Sequence, residues 1–538
     1  MKRINENRFP IILASVLLLP IFSVVYFTNN NGSGHLYIAY VMRELLAGNE
    51  LFSRFFEFNS LAVPNSTGHW IIAGLLGFTS PQIATKLMLA ITFLAYFASA
   101  LYLRHQIQGV RSRTLATLFA ALMALNWFWF QGGYNQTLAT AGFAFGVALV
   151  YRWRTEFTFR RIIALSLITL GVYFSHLVSF VFLAGGILFL SAWQDRHKAK
   201  RAVPAAILTI APAIPLLIFH LLNGSRNGEP FIPHWRGLES WTDFPGWLRY
   251  LVAADPFAIA SRKSLPFTDV QSGLFTVVSP FALVSIASAL LAGCTIVSFC
   301  RADAGERKRL SPLYVLVAGF IFASAFGPGD FGISNGSVLR ERFLIAGLTL
   351  LVGVFEIGNF DLFRKISGVA LALAIAIQFC YLGEFAGYSD RQTREFVAIE
   401  RSIEPGTSLA SITVTTGQEK FRCLPATQMS SFLGVDRDVI VWDNYELGHY
   451  LFPVVVRDAA DKDFVFRLSS SSVFGPMNRF SSEEANLVTM SNIISNERHQ
   501  IDRFVVFGKD EQIEALLATH YSVAAISPSG TVRIFSRK

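Results

Sequence analysis

Residues 29–70 read NNNGSGHLYIAYVMRELLAGNELFSRFFEFNSLAVPNSTGHW and decide how the rest of the chain is interpreted. Apolar residues at positions 36, 38, 41, 42, 45 and 46 recur with the period of a helix. The polar turn NNNGSG precedes this segment and Gly48 follows it. One long apolar run lies before the stretch and about ten lie after it, counted by the ~20-residue length of a span. We therefore predict an amphipathic helix along the bilayer surface, in the first loop outside the membrane.

The composition of this 538-residue chain is that of a polytopic membrane protein. Hydrophobic residues make up 52% and charged residues 15%, with a mean hydropathy of +0.44. Soluble domains carry about 25% charged residues. The net charge of +9 predicts no nucleic-acid partner, because most Lys and Arg residues lie in short loops between apolar runs. The four cysteines form no CxxC pattern and no obvious disulfide.

Apolar runs predict eleven transmembrane helices. They lie at about 9–27, 83–103, 114–131, 136–151, 162–176, 177–194, 202–222, 273–299, 310–327, 342–358 and 366–385. The first run follows Lys2, Arg3 and Arg8 but lacks a small-x-small cleavage site, so we expect a retained anchor. The run 70–78 is too short to cross and is expected to be re-entrant or the start of the second span.

Positive charge alternates along the connections between these runs. The basic connections are 2–8, 104–113, 152–161, 195–201, 301–309 and 363–365. Because Lys and Arg accumulate on the cytoplasmic side, the N-terminus is predicted to be cytoplasmic. The long loops 28–68 and 223–272 and the C-terminal part then lie outside. The prediction is a multi-pass protein of the bacterial inner membrane.

The composition changes near residue 386, so we divide the chain into a membrane domain, 1–385, and an extracytoplasmic α/β domain, 386–538. Strand-like runs alternate with helical patterns at 391–402 and 510–519, which is typical of an α/β domain. The predicted strands are 408–414, 438–442, 463–468, 503–508, 521–527 and 531–537.

Ionisable side chains on the outer side are the candidates for chemistry, because such groups are costly near a membrane unless they are used or solvated. The first loop contributes His35, Arg43, Glu44, Glu50, Arg54, Glu57 and His69. A carboxylate there suits a general base or a metal ligand. The alternative is the polar face of an interfacial helix.

Histidines form a second group of candidates on the outer side. His176 interrupts the apolar stretch VYFSHLVSF, and a histidine that only bonds a backbone carbonyl is the alternative interpretation. His35, His69, His176 and His234 are all predicted on the same side. Four histidines could bind a metal, although their spacing is unlike a compact ligand motif.

Two further outer segments are candidate substrate-binding regions. The loop 223–272 contains Trp235, Arg236 and Trp241, which suit sugar stacking and diphosphate binding, or else an aromatic belt at the interface. Arg340 and Arg342 enter a span from the outside and suit a lipid-linked phosphate, or else snorkel to headgroups.

Several stretches resemble the GT-C fold of polytopic glycosyltransferases, in particular bacterial members of unassigned acceptor. They are GHLYIAYVMRELLAG (34–48), GGYNQTLATAGFAFGVALVYRWR (132–154), VYFSHLVSFVFLAGGILFL (172–190), LRERFLIAG (339–347) and WDNYELGHYLFPV (442–454). The resemblance implies about eight to thirteen spans, a large first outer loop and a soluble C-terminal domain. It also implies transfer of a sugar from a polyprenyl-phosphate donor on the outer face.

The resemblance implies roles for individual residues. Glu44 or Glu57, with His35 nearby, would activate the acceptor or hold a divalent metal ion, and the identity of any metal stays open. Arg340 and Arg342 would hold the lipid phosphate, and Trp235, Arg236 and Trp241 would cover the sugar. His176 is a further candidate for substrate binding. The chain departs from the family in one respect, because residues 28–68 contain no Asp where an acid is usual.

The departure keeps two other functions open. One is a non-catalytic protein of GT-C shape that binds a lipid-linked glycan or serves in assembly. The other is a polysaccharide polymerase or transporter, although the spans contain few charges and no paired broken helices of the inverted-repeat type.

Overall fold

A computed structural model of the chain describes all residues except 1, 61, 110–111, 155, 194–195, 227–233, 236–243, 253–255, 261–280, 331–337, 358–359, 416–418 and 476–481. The chain divides into two compact units. The helical unit comprises Met1–Leu19, Ala90–Phe130 and Tyr134–Tyr381. The composite unit comprises Pro20–Leu89, Gln131–Gly133 and Leu382–Lys538, and so unites the first loop with the C-terminal part.

The α-helices account for most of the described chain. In order, α1 to α21 are Lys2–Phe22, Gly32–Leu46, Glu50–Phe55, Thr67–Leu76, Pro81–Gln108, Arg113–Ala124, Trp127–Phe130, Tyr134–Trp153, Phe159–Ser175, Leu177–Ala192, Arg196–Ile210, Ile214–Arg226, Phe244–Val252, Ala282–Arg301, Ala304–Phe326, Leu339–Val354, Asp361–Ile399, Met429–Arg437, Ala459–Ser471, Glu483–Asn496 and Glu511–Ala518.

The β-strands are short. In order, β1 to β10 are Phe56–Phe58, His234–Trp235, Pro328–Asp330, Ser408–Val414, Ile440–Val441, Val454–Val456, Val473–Phe474, Arg503–Phe507, Tyr521–Ile526 and Val532–Arg537. A 3₁₀-helix, Tyr445–Gly448, lies between β5 and β6.

The described helices include five that are long and apolar enough to cross a membrane. They are Pro81–Gln108, His197–Leu222, Ala282–Arg301, Ala304–Phe326 and Asp361–Ser402. The chain is therefore mostly helical and carries the apolar helices of an integral membrane protein. Every predicted span overlaps a helix, but the number eleven stays a prediction, as do the orientation of the termini and the domain boundary at 385.

Helix α2 confirms the predicted helix in the first loop but not its predicted place on a surface. All residues from Gly32 to Met42 are buried. The Tyr37 hydroxyl donates to the Val439 carbonyl at 2.8 Å and accepts from the Val441 amide at 3.0 Å. Its tyrosines and small residues bury against the C-terminal part of the composite unit, and its position along the bilayer surface stays a prediction. The helix is a core element of that unit.

A mixed sheet organises the C-terminal part of the composite unit. The strand order is β5-β4-β8-β10-β9, and β7 also pairs with β4. Strand β4 lies parallel to β5, β7 and β8, whereas β10 is antiparallel to its two neighbours. Residues 409–413 of β4 are buried on both faces, as expected of a central parallel strand. The predicted α/β character is confirmed.

One predicted strand is wrong. Residues 463–468, DFVFRL, lie in α19. The Asp458 side chain caps this helix by accepting from the Ala460 amide at 2.8 Å. Phe464, Val465 and Leu468 are buried, a spacing that places them on one helical face. The six-residue run alone shows no clear helical or strand period. The N-cap residue Asp458 upstream is the sequence signal that favours a helix.

A second, two-stranded sheet joins sequence-distant parts of the composite unit. Strand β1 pairs antiparallel with β6, with Glu57 opposite Val455. The side-chain amide of Asn59 donates to the backbone carbonyls of Tyr450 and Phe452, both at 2.9 Å. The first loop is therefore held by backbone pairing to a segment about 400 residues later in the chain.

Candidate functional site

In the helical unit, the structure brings together two predicted substrate-binding residues, Arg342 and His176. Arg342 lies in the first turn of α16, and His176 is the N-cap of α10. Nη1 of Arg342 lies 2.5 Å from Nε2 and 3.3 Å from Nδ1 of His176. The guanidinium also lies over the Phe128 ring, 5.4 Å from its centre, which favours the cation by a cation–π contact.

The ring of His176 lies between two donors. The Val178 amide lies 3.2 Å from Nδ1, and Nη1 of Arg342 lies 2.5 Å from Nε2. A guanidinium can only donate, and it has five N–H donors, so the contact with His176 does not use them all. A cationic fork of this kind is suited to an anionic oxygen.

In the composite unit, His35 of α2, His69 of α4 and Glu446 of the 3₁₀-helix form a buried cluster. His35 Nδ1 lies 2.9 Å from His69 Nε2 and 2.8 Å from Glu446 Oε1. His69 Nε2 lies 3.2 Å from Glu446 Oε2. The side chains of His69 and Glu446 are 0% exposed, and that of His35 is 7% exposed. The Phe452 ring covers both imidazoles, at 6.4 and 5.9 Å between ring centres.

Burial shifts the proton equilibria of this cluster. It lowers the pKa of His69, and the Glu446 contact offsets this only in part. Burial also acts to raise the pKa of the Glu446 carboxyl, but the contacts with His35 and His69 outweigh it and lower that pKa to about 2. Glu446 is therefore a carboxylate near neutral pH, in a place where a charge needs a partner.

The two predicted catalytic carboxylates occupy different surroundings. Glu44 lies near the end of α2 with its side chain 15% exposed. Its Oε2 accepts from Asn49 Nδ2 at 3.0 Å, and Arg43 lies 3.6 Å from Oε1. Glu57 lies on β1, 47% exposed, with Arg457 Nε 3.8 Å from Oε2. Glu57 is therefore the more accessible of the two to a substrate.

The asparagines at the start of the first loop take structural contacts. Asn29 Oδ1 accepts from the Gly32 amide at 2.9 Å, at the beginning of α2. Asn30 Oδ1 accepts from the Leu424 amide at 2.7 Å, and the Asn30 amide donates to Cys423 Sγ at 3.2 Å. Amide oxygens thus stand where the GT-C resemblance implies an acid.

The remaining predicted residues are placed less fully. Arg340 lies in the first turn of α16, two residues before Arg342. Trp235 lies on β2, which pairs with β3. Arg236 and Trp241 fall outside the described residues. The predicted aromatic cover over a sugar is therefore untested.

Sequence reasoning missed Glu446 as a candidate. Its stretch, WDNYELGHYLFPV, entered only through the GT-C resemblance. A signal was present, because Glu446 is the one carboxylate in the apolar and aromatic run 444–456. Its histidine partners lie 377 and 411 residues earlier, a pairing that no local pattern could indicate.

Comparisons with solved structures identify the fold. The chain aligns with the crystal structure of ArnT from Cupriavidus metallidurans in the apo state, with a TM-score of 0.51 and 12% identity over 98% of this chain and 97% of ArnT. The crystal structure of ArnT bound to undecaprenyl phosphate aligns equally well. The chain shares the fold of ArnT. No protein-family model and no curated protein sequence matches the chain.

Proposed function

We propose that this protein is a membrane glycosyltransferase. It moves a sugar from a polyprenyl-phosphate donor to an envelope glycan, lipid or protein on the outer face of the bacterial inner membrane. The observation that carries the proposal is the ArnT fold over the whole chain, since ArnT has been crystallised with undecaprenyl phosphate. The Arg342 guanidinium, which contacts His176, supports it because such a cation suits a phosphate.

The proposed reaction breaks the bond between the sugar C1 and the phosphate oxygen. An acceptor hydroxyl forms the new bond to C1 and gives up its proton to a base. The polyprenyl phosphate leaves with additional negative charge. Arg342 acts on that charge, which develops only as the bond breaks. Arg340, in the same turn of α16, contributes a second cation.

We propose Glu57 as the first candidate for the base and Glu44 as the second. Glu57 is about half exposed, and Nε of Arg457 lies 3.8 Å from its Oε2, so the carboxylate is accessible. Glu44 already accepts a hydrogen bond from Asn49. His35 is buried against Glu446, so we propose that it holds the first loop in place and does not contact the substrate.

A second function has a specific observation in its favour. Residues 28–68 contain no Asp, and the side-chain oxygens of Asn29 and Asn30 accept backbone amides. A protein of the same fold that binds a lipid-linked glycan without transferring the sugar would need no acid there. The two functions share the phosphate site and differ only in turnover.

A transfer assay on the full-length protein separates the two. The purified chain, reconstituted in liposomes, is given a radiolabelled polyprenyl-phosphate sugar together with envelope lipids and glycans as acceptors. Transfer of label supports the enzyme. Retention of labelled donor by the protein, competed by unlabelled polyprenyl phosphate and without transfer, supports the binder. If the protein neither transfers the label nor retains the donor, both proposed functions are contradicted.

A further inference from the structure

We propose that His35, His69 and Glu446 bind a divalent transition metal ion, with Zn²⁺ as the best match, and that this ion fastens the first loop to the C-terminal part of the composite unit. The proposal is independent of glycosyl transfer, because it concerns how one unit is held together. It rests on the position and hydrogen bonding of three buried side chains.

The three ligand atoms are close enough to share one ion. His35 Nδ1 lies 2.9 Å from His69 Nε2 and 2.8 Å from Glu446 Oε1, while His69 Nε2 lies 3.2 Å from the other oxygen, Oε2. One ligand atom from each of the three residues lies within 4.8 Å of the other two. Ligand atoms of a tetrahedral Zn²⁺ lie about 3.3 Å apart, which follows from Zn–N and Zn–O bonds of roughly 2.0–2.2 Å, so small side-chain movements would admit the ion.

The tautomer of His69 favours an ion over a simple hydrogen-bonded triad. Nδ1 of His69 lies 2.9 Å from the Asn65 carbonyl oxygen, which can only accept, so Nδ1 carries the proton. The lone pair of Nε2 then faces the Glu446 carboxylate, and two acceptors oppose each other at 3.2 Å. A second-shell carbonyl on the far nitrogen is the usual support of a metal-bound histidine.

The Glu446 carboxylate also favours a bound cation. Among the described residues, Oε1 has no partner in hydrogen-bond geometry, although His35 Nδ1 lies 2.8 Å away. Such a buried carboxylate oxygen is costly unless a cation meets it.

The donor set and its burial indicate the type of metal and its role. Two imidazole nitrogens and one carboxylate oxygen suit Zn²⁺ and related first-row ions, rather than Ca²⁺ or Mg²⁺, which prefer oxygen ligands. All three side chains are at most 7% exposed. The site therefore lacks an open face for a substrate, and the ion has a structural role.

The test is metal analysis of the full-length protein, purified in detergent through a tag without histidines. We expect about one Zn²⁺ per chain in the wild type. Glu446→Gln and His69→Gln should reduce this at least tenfold. His449→Gln is the matched control, because His449 follows Glu446 by three residues and stacks on Phe466 without joining the cluster. It should keep the metal.

A second measurement covers variants that fail to fold. The wild-type protein is stripped with a chelator, titrated with Zn²⁺ or Co²⁺, and followed by its thermal midpoint and by the visible bands of tetrahedral Co²⁺. A raised midpoint with those bands supports the site. Wild-type protein without metal and without a response to either ion overturns the proposal, and so does unchanged metal content in Glu446→Gln.

Discussion

Nη1 of Arg342 lies 2.5 Å from Nε2 of His176, so this hydrogen bond links α16 to α10 with the guanidinium as the donor. The cation lies in a part of the chain where an uncompensated charge is costly. The guanidinium has further N–H groups that suit an anionic oxygen. This relationship is the basis of our proposal that the lipid phosphate binds here.

Replacing Arg342 with Gln should weaken the binding of polyprenyl phosphate about 10- to 100-fold, because a charge-assisted hydrogen bond contributes roughly 1.5–3 kcal/mol. Arg342→Lys should recover part of this, since it keeps the charge without the planar fork. Binding of labelled lipid to the purified protein measures the effect. Arg364→Gln is the control, because Arg364 pairs with Asp361 in an exposed position. Equal binding by wild type and Arg342→Gln would exclude this phosphate site.

Replacing Glu57 with Gln should lower kcat about 10²- to 10⁴-fold with little change in donor binding, if it is the general base. Glu44→Gln should have the smaller effect, because its carboxylate already accepts from Asn49. Transfer and donor-binding assays on the same preparations separate the two outcomes. If both variants transfer sugar at the wild-type rate, neither residue is the base.

Gly132→Ala should destabilise the protein by about 1–3 kcal/mol. Gly132 has a φ of +90°, and an added Cβ would lie 2.5 Å from both Asn29 Oδ1 and the Gly32 amide nitrogen. The control is Gly74→Ala in α4, where nothing lies within 4 Å of an added Cβ and helix propensity favours Ala by up to ~1 kcal/mol. Thermal midpoints in detergent should fall for the first and stay or rise for the second. A fall of equal size in both would contradict the close packing at Gly132.

The Cys423 thiol should resist alkylation at pH 8 in the folded protein. Burial raises its pKa to about 12, so almost no thiolate forms, and the side chain is 0% exposed. The experiment uses a chain in which Cys294, Cys300 and Cys380 are replaced by Ser, and maleimide labelling should appear only after denaturation. Lys420→Cys in the same background is the exposed control, since the Lys420 side chain is 50% exposed. Rapid labelling of the native Cys423 thiol would show that this segment opens.

The orientation of the chain follows from its charge alternation and is testable directly. A reporter fused after Lys538 should be active only on the outer side, and one fused after Arg307, within the basic connection 301–309, only in the cytoplasm. The two fusions control each other. Cytoplasmic activity of the Lys538 fusion would refute the predicted odd number of crossings.

The apolar runs could be predicted because hydrophobic length and period are local properties. The helix at 36–46 and the strand at 408–414 were found in this way. Long-range burial could not be predicted from the same signal. The first-loop helix has a stripe typical of a surface helix, yet Tyr37 binds the backbone at 439 and 441 from within a core.

The candidate sites also could be predicted only where the signal is local in the sequence. His176 and Arg342 were each predicted as substrate-binding residues on the outer side, and the structure adds that they are in contact. The cluster at His35 could be predicted only in part, because Glu446 lies 411 residues away and belongs to another type of segment. Contact between residues so distant is decided by tertiary packing, which a single sequence does not encode in any local pattern.

The pairing of β1 with β6 has a consequence for how the protein is made. Glu57 finds its partner Val455 only after almost 400 further residues have been synthesised, which takes on the order of tens of seconds at about 5–20 residues per second. During that time the C-terminal residues that bury eleven positions of α2 in the folded protein have not yet been synthesised. Until the C-terminal part is made, we expect the apolar residues of the nascent first loop to be bound by a chaperone or by lipid. A prematurely terminated chain is expected to be degraded.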